Sequence, residues 1–186
     1  MLTMQPTPVS EMHSPHSLPP SAWVECFAPR IAAGGRVLDL ACGRVRHARL
    51  LATLGYHVEA VDRDAEALVA LAGVAGISTL RVDLEDGPWP FPDPCFDGIV
   101  VTNYLYRPRL GDLINALLPG GILIYETFMV GHEQFGKPSN PEFLLRAGEF
   151  LDVAKGRLNI VAFEQGRVET PRPAMTQRLC AVKAEA

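Results

Sequence analysis

From residue 36 onward the chain alternates short apolar runs with stretches of helical periodicity. Val37, Leu38 and Leu40 form a compact apolar run of the kind a buried parallel strand needs. Three small residues, Ala41-Cys42-Gly43, end it, and a helical pattern runs from Arg46 to Leu54, with Gly55 placed as its C′ residue. The order repeats. H-V-E-A-V-D over 57–62 reads as a second strand, followed by a helix over about 65–72 that Gly73 and Gly76 break. T-L-R-V-D over 79–83 reads as a third strand and D-G-I-V-V-T over 97–102 as a fourth. Between them, 86–94 carries four prolines and must be a loop, with Trp89 and Phe91 expected to pin it to the body.

The pattern predicts a helix over about 108–118, a Pro119-Gly120-Gly121 turn, and a fifth strand over 122–127. Residues 128–140 are polar and glycine-containing, the composition of a mobile lid. Asn140-Pro141 is a cap-plus-first-turn pair that opens a helix expected to reach 151–154. L-N-I-V-A-F-E over 158–164 and M-T-Q-R-L-C-A-V over 175–182 have only about ten residues between them. That gap is too short for a helical crossover, so the two are expected as antiparallel neighbours. Ahead of the alternation, Ser21 can cap a helix over about 22–32 that puts Trp23, Val24, Phe27 and Ile31 on one face. The sum is an α/β protein: a doubly wound, Rossmann-like sheet of seven strands, mostly parallel, closed by an antiparallel C-terminal hairpin.

Composition narrows the function classes. The 186 residues suit one ordinary domain. Residues 1–20 hold five prolines and little periodicity and read as a flexible tail. A net charge of −4 provides no global basic field to recruit nucleic acid or an anionic membrane. Cys26, Cys42, Cys95 and Cys180 are far apart and form no C-x-x-C pair, so no zinc site is expected and the thiols read as reduced and cytoplasmic. No apolar run reaches 18 residues, which predicts no membrane span, and the N-terminus does not read as a secretory signal.

In an open α/β sheet, ligands bind beyond the carboxyl ends of the strands. Asp39, Asp62, Asp83 and Glu126 stand near those ends. Singly, each has a plain structural alternative: Asp39 accepting backbone N–H groups of the next turn, Asp62 and Asp83 capping the next elements, Glu126 at a partly exposed strand end. Jointly they are more specific. Asp62 lies 23 residues after Asp39, the distance at which a carboxylate meets both ribose hydroxyls in a nucleotide-binding βαβ unit. Asp83 stands one strand over, where an adenine amino group could be met, and Leu84 beside it offers a backbone N–H and an apolar face.

The successive segments V-L-D-L-A-C-G-R-V-R-H-A, V-E-A-V-D-R-D, V-D-L-E, F-D-G-I-V-V-T-N-Y-L and L-P-G-G-I-L-I-Y-E-T-F resemble the motifs of class I S-adenosylmethionine-dependent methyltransferases. The resemblance covers about residues 20–183 and is nearest to the small bacterial tellurite-resistance and thiopurine methyltransferase type. It implies one methyltransferase-like domain over 21–186, S-adenosylmethionine as cofactor and a small-molecule acceptor. It also implies cofactor contacts from Asp39, Ala41, Cys42, Gly43, Arg46, Asp62, Arg63, Asp83, Leu84, Thr102 and Asn103, with Tyr104 on the methyl-donor side. A monomer or homodimer with neither nucleic acid nor membrane as partner is expected.

Methyl transfer from a sulfonium draws its reactivity from the cofactor, so no fixed triad is required. Candidates for catalysis or acceptor binding are Tyr104 and Tyr106 as pocket walls or as packing under a loop. His132 with Glu133 reads as a base with its orienter or as an exposed loop pair; Arg107 and Arg172 as anion contacts or surface charges; Glu126 and Thr127 lie near the same strand end. A dinucleotide oxidoreductase would want G-x-G-x-x-G, and 41–46 does not supply it. A nucleic-acid methyltransferase is disfavoured by the acidic balance. The third alternative is a protein that binds the cofactor with weak or lost transfer, because Val45 stands where the family pattern has glycine. A β-branched residue resists the left-handed conformation and brings a side chain toward the cofactor space.

Overall fold

The computed structural model describes residues 18–185, so most of the tail expected over 1–20 lies outside the described residues. One seven-stranded sheet takes every strand, in the order β3-β2-β1-β4-β5-β7-β6. These are β1 (Arg36–Leu40), β2 (His57–Asp62), β3 (Ile77–Arg81), β4 (Phe96–Thr102), β5 (Leu117–Phe128), β6 (Leu158–Val168) and β7 (Ala174–Lys183). β1 to β5 are mutually parallel, while β7 runs antiparallel to both β5 and β6. The order reverses beside β1, which places its carboxyl end and that of β4 at the topological switch point.

Apolar layers cover both faces. Leu38, Leu40, Ile99, Val101, Leu123 and Tyr125 belong to one cluster; Val37, Ala60, Val100, Ile124 and Cys180 belong to the other. The alternation is the period-two signature of strands buried on both sides. Gly98 has a packing reason: a Cβ there would stand 2.5 Å from Ile31 Cδ1. Phe91 packs edge-on against Phe96 at 4.9 Å and against Trp89 at 5.8 Å, which fastens the proline-rich 86–94 loop.

Several element boundaries differ from expectation for local reasons. α1 spans only Ala22–Phe27 and tightens into a 3-10 turn, Ala28–Arg30, where Pro29 removes a backbone donor. α2 (Arg46–Thr53) matches closely. α3 stops at Val69 rather than 72, and its cap is Asp64, whose Oδ1 accepts from Glu66 N at 2.9 Å. β3 ends at Arg81, so Asp83 lies beyond the strand instead of closing it. The stretch 108–118 splits into a 3-10 turn, Arg107–Arg109, and α4 (Leu110–Ala116), with Leu117 already paired to Phe96.

The largest difference follows Asn140. The expected helix over 141–151 is a single 3-10 turn, Pro141–Phe143, and the regular helix α5 covers only Glu149–Ala154. Between them, Leu144 and Leu145 are extended and buried. Leu145 N–H donates to Phe128 O at 3.0 Å and Leu145 O accepts from Val130 N at 2.9 Å, so this backbone extends the β5 edge instead of coiling.

Candidate functional site

The turn after β1 carries unusual backbone. Ala41 and Val45 adopt positive φ (53° and 58°), and so does Asn103 (55°) after β4. No other described non-glycine residue does so; Ala41 and Asn103 line the trough at the switch point, and Val45 closes the same turn. Strain gathered at one place marks a backbone that the surrounding structure holds for a purpose. Asp39, buried within β1, helps to hold it: a backbone hydrogen bond at Ala48 reaches its carboxyl group from the first turn of α2, a helix with no side-chain cap of its own. Asp62 does the same from β2. Its Oδ2 accepts from Gly43 N at 2.8 Å and its Oδ1 from Asp64 N at 2.9 Å.

Three cavities run along the carboxyl ends of the strands. Ala41, Asp62, Arg63, Asp83, Leu84 and Tyr104 line the first. Ala41, Cys42, Gly43, Arg46, Thr102 and Asn103 line the second, together with His47 and Arg172. Glu126, Phe128, Thr170, Thr176 and Arg178 line the third, which shares Leu18, Arg46, Asn103 and Arg172 with the second. The shared walls make one continuous trough, and it brings together ten of the eleven residues expected to contact the cofactor. The eleventh, Asp39, lies beneath the turn and lines none of the three cavities.

Val45 stays out of the trough. The valine takes the left-handed conformation that glycine would take, yet its side chain is buried in the apolar cluster that includes Val24, Cys42, Ala48 and Leu51. The turn thus keeps a glycine-like backbone at a strain cost of about 1–2 kcal/mol, offset by a buried isopropyl group. The expected steric conflict with a ligand does not arise.

Two buried polar atoms in this region lack a partner. Asp39 Oδ2 and the Tyr104 hydroxyl are buried and have no hydrogen-bond partner among the described residues. Burial pushes the Asp39 carboxyl up to about 7, against the pull of the Ala48 backbone bond and the Arg46 charge. The backbone around Gly43 leaves space as well: a Cβ there would meet nothing nearer than Ala41 O at 3.9 Å. An open turn, the Asp62 carboxylate and the unpartnered Tyr104 hydroxyl offer groups that fit an adenosyl amino-acid ligand.

A network that sequence reasoning missed backs the second cavity. His47 is fully buried, and its Nε2 accepts the Ser21 backbone N–H at 3.0 Å. Nδ1 must then carry the ring proton and donate to Thr102 Oγ1, 3.2 Å away. Desolvation, helped by the nearby Arg46 charge, pushes the imidazole down to about 3, so it stays neutral. This ties the start of the described chain to the end of β4. A histidine one helical step after a turn residue is a visible signal, but its partners are 26 and 55 residues away.

The catalytic candidates fare differently. Tyr104 and Tyr106 do not share a pocket: Tyr104 faces the first cavity, whereas Tyr106 bonds Glu85 O at 3.3 Å and lines a separate groove with Arg107 and Phe143. His132 is buried rather than exposed. It stacks on Phe128 at 4.0 Å, its Nδ1 accepts from Met175 N at 3.3 Å, and its Nε2 meets Lys137 O at 3.2 Å. Glu133 caps Gly131 N and does not orient it. Both imidazole nitrogens are occupied in fastening the 129–137 loop, so the base-and-orienter reading is replaced by a structural one. Arg107 is neither an anion contact nor a loose surface charge. Its guanidinium pairs with Glu149 at 2.6 and 3.0 Å and donates to Leu144 O. Thr127 is buried and lines no cavity of the trough. Glu126 does reach the trough, with Arg178 Nε 2.6 Å from its Oε2 in a close ion contact of poor hydrogen-bond alignment. Arg178 was not anticipated, because only the β5–β7 register sets it opposite Glu126.

Among the described residues no cluster of His, Cys, Asp and Glu could hold a metal ion. No helix of the described chain is long and apolar enough to cross a membrane.

Residues 37–121 match the methyltransferase domain family. Over 104 residues the chain is 36% identical to protein-L-isoaspartate O-methyltransferase of Chlorobaculum tepidum, covering 54% of this chain and 48% of that protein. Over 101 residues it is 34% identical to demethylmenaquinone methyltransferase of Clavibacter sepedonicus, covering 50% and 40%. The chain thus spans about half or less of the length of the curated relatives it matches. Among solved structures, a SAM-dependent methyltransferase of Methanosarcina mazei superposes with a TM-score of 0.68 at 16% identity, covering 87% of this chain and 98% of that one. TehB of Haemophilus influenzae gives 0.68 at 20% identity, covering 87% and 61%. The [4+2]-cyclase SpnF gives 0.69 at 16%, covering 88% and 80%. The likenesses show that the chain has the Rossmann-like fold of these methyltransferases.

Proposed function

We propose that the protein is an S-adenosylmethionine-dependent methyltransferase acting on a small-molecule acceptor. The observation that carries this reading is the continuous trough at the switch point, with Asp62 and Asp83 at one end and Arg46, Thr102 and Asn103 at the other. Asp62 keeps unused lone pairs on both oxygens for ribose hydroxyls, while its present bonds hold the Gly43 turn. Asp83, Leu84 and the Tyr104 hydroxyl surround the adenine position, and Arg63 flanks it. Arg46 answers the methionine carboxylate, and Asp39 lies beneath the turn to balance the amino group. When bound, the cofactor supplies an electrophilic methyl: the acceptor lone pair bonds to it as the carbon–sulfur bond breaks, and that electron pair stays on sulfur. The protein aligns the two reactants and keeps water out. Thr102, held by His47, and Asn103, held in its left-handed conformation by a 2.9 Å bond from its N–H to Glu126 O, form the wall where the methyl would point.

Isothermal titration with S-adenosylhomocysteine tests the reading; micromolar binding is expected, and no heat at high micromolar ligand overturns it. The second reading, a binder without transfer, rested on Val45. Its burial away from the trough removes the steric reason for lost transfer. Labelled S-adenosylmethionine with a panel of methyl acceptors separates the two: bound cofactor without product on any acceptor favours the binder. The likeness to a cyclase of the same fold makes that panel worth running broadly.

A further inference from the structure

The third cavity has a charge pattern unlike the rest of the molecule. The chain carries a net −4, yet among the described residues the walls of the third cavity hold Arg46, Arg172 and Arg178 against one acid, Glu126. Arg178 takes up that acid at 2.6 Å. Arg46 and Arg172 have no ion pair or hydrogen bond among the described residues, although Arg46 is half-buried. Desolvation and the adjoining Arg172 and Arg44 charges lower the Arg46 pKa, even with Glu126 and Asp39 pulling the other way. Arg46 and Arg172, like charges kept close with Arg46 partly desolvated, disfavour each other, and an anion between them would relieve both. The turn that presents Arg172 is Thr170-Pro171-Arg172-Pro173, five residues (169–173) between two long paired strands, so its backbone is restrained by the hairpin and by two prolines. A guanidinium placed this way can meet an oxyanion in two parallel hydrogen bonds.

We infer that the third cavity is the acceptor subsite and that it takes a small molecule carrying a carboxylate or phosphate, held by Arg172 with Arg46 behind it. This rests on the cofactor placement proposed above, in which Arg46 serves the methionine carboxylate and Arg172 is left for the acceptor. The cavity itself offers only about 60 Å3, enough for the anionic end of a small molecule, and its shared walls open into the second cavity of about 360 Å3, which leaves room for the rest of a small acceptor rather than a polymer. Thr170, Thr176 and Asn103 supply uncharged polar groups around it. The Arg178–Glu126 pair closes its floor without adding net charge.

The test uses the full chain saturated with S-adenosylhomocysteine and titrated with benzoate, phenyl phosphate and the neutral analogue benzamide. At least tenfold tighter binding of one anion than of benzamide is expected, weakening about tenfold in 0.5 M salt. Arg172→Gln should abolish the preference while leaving S-adenosylhomocysteine affinity within threefold and the melting temperature unchanged. The ratio of benzoate to phenyl phosphate affinity says which oxyanion the site prefers. If S-adenosylhomocysteine binds but all three probes bind equally, or Arg172→Gln keeps the preference, the anion subsite is wrong and the methyltransferase reading stands. If Arg172→Gln instead weakens S-adenosylhomocysteine more than tenfold, Arg172 belongs to the cofactor and the proposal falls. If the wild type does not bind S-adenosylhomocysteine at all, the underlying reading fails first.

Discussion

The turn over 41–46 and the segment over 129–149 both border the carboxyl ends of the strands, and they are built in opposite ways. The turn is strained. Ala41 and Val45 are left-handed, α2 lacks a side-chain cap, and two carboxylates from neighbouring strands hold the backbone from outside. The 129–149 segment has the glycines and polar residues of a mobile lid but is fastened at three points. Arg107 and Arg146 converge on Glu149, His132 is clamped between Phe128, Met175 and Lys137, and Gln177 accepts from Phe150 N and donates to Arg146 O. Strain is tolerated where backbone must lie open to a ligand. Cross-links accumulate where a long connection, without regular structure of its own, must keep one shape against its entropy.

The contrast can be broken first at its strongest tie. Glu149→Ala strips the Arg107 guanidinium and the Arg146 backbone N–H of a buried acceptor and should destabilise the fold by about 3 kcal/mol, which lowers the melting temperature by roughly 6–12 °C. Burial raises the Glu149 carboxyl, but the Arg107 and Arg146 hydrogen bonds outweigh it and hold the pKa below the usual value. That contribution is therefore present at neutral pH and is lost on acidification through the folded-state pKa. A melting temperature within 2 °C of wild type would show the segment to be loosely held after all.

On the turn side, Asp62→Ala should weaken S-adenosylhomocysteine binding by about 1–3 kcal/mol, since it removes both a ligand acceptor and the anchor of Gly43. Unchanged affinity in titration would reduce Asp62 to a turn anchor.

Asp39 and His47 predict a smaller, pH-dependent effect. Asp39 is raised from 3.8 to about 7, so it contributes stability below 3.8 that is lost as pH rises through 7. His47 is lowered from 6.5 to about 3, so its contribution is present above 6.5 and is lost as pH falls through 3. Between 3.8 and 6.5 the two slopes oppose each other. Asp39→Asn removes one of them, and urea unfolding at pH 4.5, 5.5 and 6.5 should then show an added loss of about 1.4 kcal/mol per unit of acidification relative to wild type.

The smallest effect is expected at Val45. Val45→Gly trades left-handed strain against a buried side chain, terms of about 1–2 kcal/mol each, so stability should move by less than about 1 kcal/mol. Cofactor affinity should change less than threefold. A large gain in affinity would show that the valine does obstruct the trough.

The parallel order of β1 to β5, the closing hairpin and the acids that end β1 and β2 were legible in the chain because they follow from local rules: apolar runs, glycine breaks and a loop too short for a crossover. That Asp62 and the 41–46 turn border one trough was legible for the same reason, since a βαβ unit puts its turn and its second-strand carboxylate at fixed offsets. Three features were not. The helix expected after Asn140 lost to extended leucines, because backbone pairing with Phe128 and Val130 outweighed a good cap. His132, Arg107 and Tyr106 have side chains suited to catalysis, and only their three-dimensional partners turn two of them into fastenings and move the third to another groove. Val45 reads as a defect in one dimension. Its backbone is as strained as the local rule foretells, but whether its side chain meets a ligand or the core depends on what α1 and α2 pack beside it. Local sequence sets φ preferences and element order; which face of a strained residue is filled, and which arginine is left without a partner, are decided by contacts between segments far apart in the chain.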